Sequence, residues 1–385
     1  MRILVNDIAA SKTGALAILM DFYEYVKVHH PEHEWIFLTG IDCIKDPPEN
    51  ITVHVMVDVK RSQKDRLRFD LMTGSRFLEE LKPDIILSLQ NTLTKGSIRR
   101  KTDLYSKDGK LLAKAGNKIP QVLYVHQPLG FQKNKKFSFL KKEEREYAVY
   151  QYLIGALIDA SVKRADRVIV QTKWMKAAVE EKTGTAGDKI FCVLPDVGDM
   201  SSYRLSSSQD FDRTHFFFPS GEILYKNHEL ILKAAKLLND RGIKDFKVHF
   251  TLASLKDVTE REYPDPNGNI YYSGRVSRQE VLMEYSKGTL LFPSYIETFG
   301  VPLAEAREVG TMILASDCPF SLEVLNGYQN ARFFDPFNEK ELADLMEQVI
   351  KGEVAPVIEP VGNEEKEREC SYGEIVRLVV GMISG

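Results

Sequence analysis

Glu297 and Glu305 stand either side of a Phe-Gly-Val-Pro turn in "YIETFGVPLAEA", with seven residues between them. A carboxylate accepts two hydrogen bonds in one plane, which suits a vicinal diol on a ribose or a hexose. Gly300 lets the backbone come close to a ligand, and Pro302 fits the first turn of a helix, where its missing N–H is no loss. A helix opening there presents unpaired N–H groups and a partial positive charge, a ready site for a phosphate. The stretch can thus hold hydroxyls at both ends and a diphosphate between them. Taken alone, the two acids fit equally well as side chains that simply favour a helix N-terminus.

The elements around this stretch have a clear order. Strand signals at "RILVN", "EWIFLTG", "ITVHVMV", "PDIILSL", "IPQVLYVH" and "DRVIVQT" alternate with helical stretches, which predicts a parallel sheet carrying helices. In "EREYAVYQYLIGALIDASVKRAD", Tyr147, Tyr150, Leu153, Ile154, Leu157, Ile158 and Val162 recur at helical spacing, so the tyrosines are expected in the core. The polar, serine-rich "DVGDMSSYRLSSSQDFDR" reads as a linker. A second alternating series follows, in which "TLLFPS" is the strand feeding the opening turn. The charged tail becomes amphipathic, with Tyr372, Ile375, Val376, Val379, Val380 and Ile383 on one face of a final helix. The expected division is residues 1–198, 199–365 and a C-terminal helix at 366–385.

Composition limits the function. A chain of 385 residues is about right for two domains, and 43% hydrophobic with 28% charged residues is the make-up of a soluble globular protein. The net charge of −3 gives no global argument for nucleic acid. Cys43, Cys192, Cys318 and Cys370 lie far apart, with no C-x-x-C pair and no histidine at metal spacing, which reads as a reduced, cytosolic chain. Asp7 interrupts the apolar start, and no apolar run approaches the ~20 residues needed to span a bilayer.

"PSYIETFGVPLAEAREVGTMILASD" resembles the E-x7-E segment of family 4 glycosyltransferases. The resemblance extends to "LYKNHELILKAA", "SGRVSRQEVLMEYSKG", "ASDCPFSLEVL" and "FFDPFN", and more weakly to "YVHQPL" and "ADRVIVQTKWMKAAV" in the first half. Within the family the chain looks like bacterial enzymes that build O-antigen, capsule and other surface polysaccharides. The resemblance implies an α/β fold of the GT-B class: two Rossmann-like domains face a central cleft, and the C-terminal helix crosses back to the first. It implies a retaining transfer of a hexose from a nucleotide diphosphate sugar to a glycan or lipid-linked acceptor, with no cofactor and no metal.

By the same resemblance Glu305 holds the nucleotide ribose, and Glu297 contacts donor-sugar hydroxyls beside the reacting carbon. Thr298 and the turn amides at Phe299, Gly300 and Val301 hold the sugar and the distal phosphate, and Lys226 neutralises the leaving diphosphate. The family has an arginine shortly before that lysine. "SGEILYK" lacks it, and Arg275 in "YYSGRVSR" is the candidate substitute, with Val276 at the base. His126 closes the strand "QVLYVH" at its C-terminal end, the edge where open α/β sheets bind ligands, and matches a family histidine near the reaction centre. Gln127 follows it where relatives often carry aspartate. Thr13 and Gly14 resemble the family's glycine loop after the first strand. A sugar-nucleotide epimerase of the same fold and a non-catalytic sugar-nucleotide-binding subunit are the alternatives.

Two further signals remain. Asp210 to Asp212, "DFD", has the D-x-D pattern of another glycosyltransferase fold, but its place in the serine-rich linker reads as solvated acids. Residues 95–145 hold fourteen Lys/Arg against four Asp/Glu, with a hairpin-like "SIRRKTDLYSKDGKLLAKAGNK" and a phenylalanine-bearing "FQKNKKFSFLKKEER". Such a basic region suits an anionic membrane surface, at the inner face of the cell membrane, as well as it suits a solvated surface.

Overall fold

The structure, a computed structural model, describes residues 1–385 except 12, 107, 206, 208, 256–262, 264, 359–369 and 385. The chain forms two compact units. The first comprises Met1–Phe131, Val149–Leu194 and Glu367–Gly385, and the second Gln132–Ala148 and Pro195–Lys366.

The first unit contains β1 (Arg2–Asp7), α1 (Thr13–His29), β2 (Glu34–Thr39), β3 (Ile51–Val55), β4 (Ile85–Ser88), the short strands β5 (Leu104–Tyr105) and β6 (Leu111–Ala113), β7 (Gln121–Val125), α2 (Gly155–Arg164), β8 (Arg167–Val170), α3 (Lys173–Thr183) and β9 (Ile190–Cys192). Seven of these strands pair in parallel in the order β3-β2-β1-β4-β7-β8-β9. Central strands such as "IILS" and "QVLYV" are buried along their whole length, as expected of a sheet covered on both faces. The direction of winding reverses between β1 and β4. β5 and β6 form the antiparallel hairpin read from the sequence. The C-terminal helix Ser371–Ser384 belongs to this unit: Ile375, Val376 and Val379 are buried in one cluster with Phe22 and Trp35. Each such side chain contributes about 1.5–3 kcal/mol of burial.

The expected tyrosine core does not form as predicted. Tyr150 is 36% exposed and Leu153 is 60% exposed, while Gln151 is buried. The cause is a π-helical stretch at Val149–Ile154 between the α-helical Arg145–Ala148 and α2. The extra residue in that turn rotates the following side chains off the 3.6-residue face.

The second unit contains β10 (His215–Phe218), α4 (His228–Asp240), β11 (Lys247–Phe250), β12 (Ile270–Tyr272), α5 (Arg278–Tyr285), β13 (Thr289–Phe292), α6 (Val301–Val309), β14 (Met312–Ser316), β15 (Ala331–Phe334) and α7 (Glu339–Lys351). Its six-stranded parallel sheet runs β12-β11-β10-β13-β14-β15, with the reversal between β10 and β13. Ser277 and Glu280 form a reciprocal capping box at the start of α5. α6 begins after Gly300, at φ 83°, and ends at Gly310, at φ 90°; both need the left-handed freedom of glycine.

The unit boundaries differ from those expected. Pro195 rather than residue 199 opens the second unit, and residues 132–148, read as part of the first domain, pack with the second. Asn134 Nδ2 donates to Tyr295 O (2.8 Å), and Tyr147 OH accepts from Leu224 N (3.2 Å) with its ring 5.7 Å from that of Tyr225. The expected boundary at 365/366 lies outside the described residues.

Candidate active site

The second unit's sheet reverses between β10 and β13, and open α/β sheets bind ligands at the carboxyl ends of strands at such a point. The loop after β10 ends in a turn at Leu224–Lys226, and the loop after β13 carries Ser294 and Glu297. Lys226 Nζ and Glu297 Oε1 form an ion pair across the reversal, and Ser294 Oγ donates to the same Oε1 at 2.7 Å. Both side chains of the pair are mostly buried, 19% and 17% exposed. Tyr295 N donates to Tyr225 O (3.1 Å), which joins the two loops. Asn227, in the left-handed conformation at φ 63°, donates from Nδ2 to Pro336 O (2.7 Å) and fixes the chain direction into α4. Lys226 has three donors, so it can keep Glu297 and still meet a phosphate.

Glu305 lies about one turn inside α6 and is buried. Tyr285 OH donates to its Oε2 (3.1 Å), and Arg278 Nη2 pairs with its Oε1 (2.7 Å). Burial lifts the Glu305 carboxyl above its ordinary range, while the Arg278 charge and the Tyr285 hydroxyl pull it back. Burial, followed by the adjacent Glu305 charge, holds the Tyr285 phenol far above its ordinary value, so it remains a donor. A carboxylate offers about four lone-pair positions. Arg278 and Tyr285 take one on each oxygen, which leaves one on each for a pair of vicinal hydroxyls.

In the first unit His126 directly follows β7. Its Nε2 lies 2.8 Å from Leu89 O and 3.2 Å from Asn91 Nδ2, and its backbone N donates to Asn91 Oδ1 (2.6 Å). Burial lowers the His126 pKa, which favours the neutral ring. Gly14 lies in the first turn of α1, with no atom within 4 Å of where a Cβ would sit. Asp7 ends β1 and is buried; burial lifts its carboxyl to about 7 against the opposing pull of the Ala10 amide, Arg66 and Lys60.

Residues 208–369 match the family described as "Glycosyl transferases group 1". The chain carries a glycosyltransferase group 1 domain. Two curated relatives agree with it. The O-antigen chain mannosyltransferase RfbU of Salmonella typhimurium is 24% identical over 188 residues, 48% of this chain and 51% of that protein. An N,N'-diacetylbacillosaminyl-diphospho-undecaprenol alpha-1,3-N-acetylgalactosaminyltransferase of Campylobacter jejuni is 23% identical over 256 residues, 63% of this chain and 65% of that one. The chain thus spans about half and just under two thirds of the lengths of these relatives. Among solved structures, the lipopolysaccharide outer core galactosyltransferase WaaB in its apo form superposes with a TM-score of 0.56 at 16% identity, covering 92% of this chain and 91% of that one. The fold is that of GT-B glycosyltransferases, with two Rossmann-like halves.

Within the glycosyltransferase domain the structure brings Lys226, Glu297 and the turn at Phe299, Gly300 and Val301 to one strand edge, with Glu305 just beyond. Thr298, between Glu297 and that turn, is half-buried. Arg275 is exposed in the turn after β12, and the arginine on Glu305 is Arg278. Val276 is half-buried in the same turn, which Gly274 opens at φ 76°. Sequence reasoning missed Arg278, Tyr285 and Ser294. Only the capping Ser277 ahead of α5 hinted that Arg278 begins a helix, and nothing in the spacing aimed it at Glu305. Asp212 Oδ1 accepts from Thr214 N (2.8 Å) and so shapes the turn into β10, while Asp210 is exposed.

The basic region divides in use. Lys135 Nζ and Lys141 Nζ lie 3.1 and 3.4 Å from Oε1 of Glu144, which is buried, so these two lysines are structural. Phe139 and Leu140 are exposed beside Lys142. Among the described residues no helix is long and apolar enough to cross a membrane.

Proposed function

We propose that this chain is a retaining hexosyltransferase that moves a sugar from a nucleotide diphosphate sugar to a hydroxyl of a lipid-linked glycan in bacterial surface polysaccharide assembly. The observation that carries the reading is the Lys226–Glu297 pair across the β10/β13 reversal with Glu305 one turn into α6. In this reading Glu305 binds the ribose diol, held ionised and in place by Arg278 and Tyr285. The N-terminus of α6 and Lys226 take the diphosphate, and their charge is stabilising where negative charge grows as the bond to the sugar breaks. Glu297 holds sugar hydroxyls rather than attacking the anomeric carbon. The acceptor's proton passes to the departing phosphate on the same face, and positioning supplies much of the rate. By the family resemblance His126 serves the donor sugar near the reaction centre, and Gly14 serves the donor phosphates and the acceptor. The diphospho-undecaprenol acceptor in the name of the Campylobacter relative supports a lipid diphosphate, and exposed Phe139, Leu140 and Lys142 suit contact with an anionic bilayer. No step in this scheme needs a metal ion.

Thermal unfolding against a panel of nucleoside diphosphates and their sugars tests the donor half, because a ligand that binds only the folded chain stabilises it by mass action. One base should raise the melting temperature of the wild type and do so far less for Glu305→Ala. Equal shifts in both proteins would remove Glu305 from the ribose.

A further inference from the structure

A second cluster lies in the same unit at the opposite end of β10 from Lys226. His215 opens β10, and His249 on β11 is in register with Phe217, so the two imidazoles share one face of the sheet. Glu284, in the last turn of α5, brings Oε2 to 2.6 Å from His215 Nε2 and 3.3 Å from His249 Nδ1. One ligand atom from each residue lies within 4.8 Å of the others. The rings are held by aromatic neighbours, His215 stacked on Phe217 and His249 tilted against Tyr271 at 5.0 Å.

The outer contact of His249 points to a cation. Its Nε2 lies 2.7 Å from Ser273 Oγ, and that hydroxyl donates to Gly274 O at 3.0 Å. When Nε2–H donates to Ser273, the Nδ1 lone pair is left beside the Glu284 carboxylate, where a cation can join the two. Such a hydrogen bond on the far nitrogen is what orients metal-binding histidines. A tetrahedral metal with bonds of about 2.0–2.1 Å spaces its ligand atoms roughly 3.3 Å apart, so the His215–Glu284 contact has to open by less than ~1 Å. With side chains 22%, 11% and 19% exposed, the cluster is open enough for water to complete the coordination.

We propose that His215, His249 and Glu284 form a site for a divalent transition metal that ties α5 to the sheet. Two imidazoles and one carboxylate suit zinc or cobalt, not the oxygen-seeking magnesium or calcium. The same helix supplies Arg278 and Tyr285 to Glu305, so the metal steadies the proposed ribose contact without taking part in sugar transfer. The site stands whether or not the donor assignment does.

The test is titration of untagged, chelator-treated full-length protein with zinc, and with cobalt followed by its visible absorption. One equivalent should bind the wild type and raise its melting temperature, and magnesium should not compete. His249→Ala and Glu284→Gln should abolish the cobalt band, and Ser273→Ala should weaken binding by roughly 10–100-fold. A His30→Ala/His33→Ala double variant, which removes the other His/Glu group at His30, Glu32 and His33, should leave it intact. Should His249→Ala fail to fold, Ser273→Ala decides. Absence of wild-type binding at micromolar zinc would overturn the proposal and leave a hydrogen-bonded clamp. Unchanged binding in Ser273→Ala and Glu284→Gln would overturn it equally.

Discussion

Arg278 reaches from the first turn of α5 to Glu305 in α6, Nη2 to Oε1 at 2.7 Å, and opposes the upward pull of burial on that carboxyl. Its own side chain is 63% exposed, so solvent screens the pair and its worth is about 0.2–1 kcal/mol. Arg278→Ala should therefore weaken nucleoside diphosphate binding by no more than about fivefold at neutral pH. The pH dependence is the sharper sign. Arg278 pulls the Glu305 pKa down against burial, so its removal lets the carboxylate protonate at higher pH. Calorimetric affinity should then be lost at a higher pH in the variant than in the wild type. Coincident profiles would mean that Arg278 does not act on Glu305.

Lys226 and Glu297 should separate in kinetics. Loss of one preorganised charge at a leaving oxygen costs roughly 10²–10³ in turnover, which is the effect expected for Lys226→Ala. Glu297→Gln keeps the shape and frees Lys226 for the phosphate. It should lower kcat while leaving the affinity for free nucleoside diphosphate unchanged or tighter. Weaker diphosphate binding in Glu297→Gln would mean that Glu297 supports the phosphate site instead.

Asp7 makes a prediction about stability. Its folded pKa is raised from 3.8 to about 7, so the folded state holds a proton that the unfolded state has released. The stabilisation this gives is full below the unfolded value and is lost as pH rises through about 7. Urea unfolding should show Asp7→Asn gaining on the wild type between pH 4 and 7, by at most roughly 4 kcal/mol. Parallel curves across that range would refute the assignment.

The exposed Phe139–Leu140 tip predicts weak, salt-sensitive binding to vesicles containing phosphatidylglycerol. Leu140→Ser with Lys142→Gln should abolish co-sedimentation at low salt. Lys135 and Lys141 stay in place because they neutralise Glu144. A wild type that never sediments would rule this contact out.

Much of the fold was legible because strand runs such as "IILS" and "TLLF" are continuous apolar segments between capped or glycine-ended helices. Glu297, Glu305 and Lys226 could be read because each belongs to a local motif on a strand-to-helix turn. Arg278 and Tyr285 could not, since their meeting with Glu305 depends on how α5 packs beside α6. Periodicity failed at Tyr150 and Leu153 because a single π turn at Val149–Ile154 shifts the face without leaving a mark in composition. The allegiance of residues 132–148 to the second unit rests on contacts such as Asn134 to Tyr295, 161 residues apart in the chain.

The central claim is glycosyl transfer with retention. Its most direct test is incubation with the nucleotide sugar that gives the largest thermal shift, polyprenyl-diphosphate-linked saccharides and EDTA, followed by proton NMR of the product. An α-linked donor should give an α-linked glycoside together with nucleoside diphosphate. A β-linked glycoside, activity that returns only on adding magnesium or manganese, or diphosphate release with no glycoside formed would contradict the account.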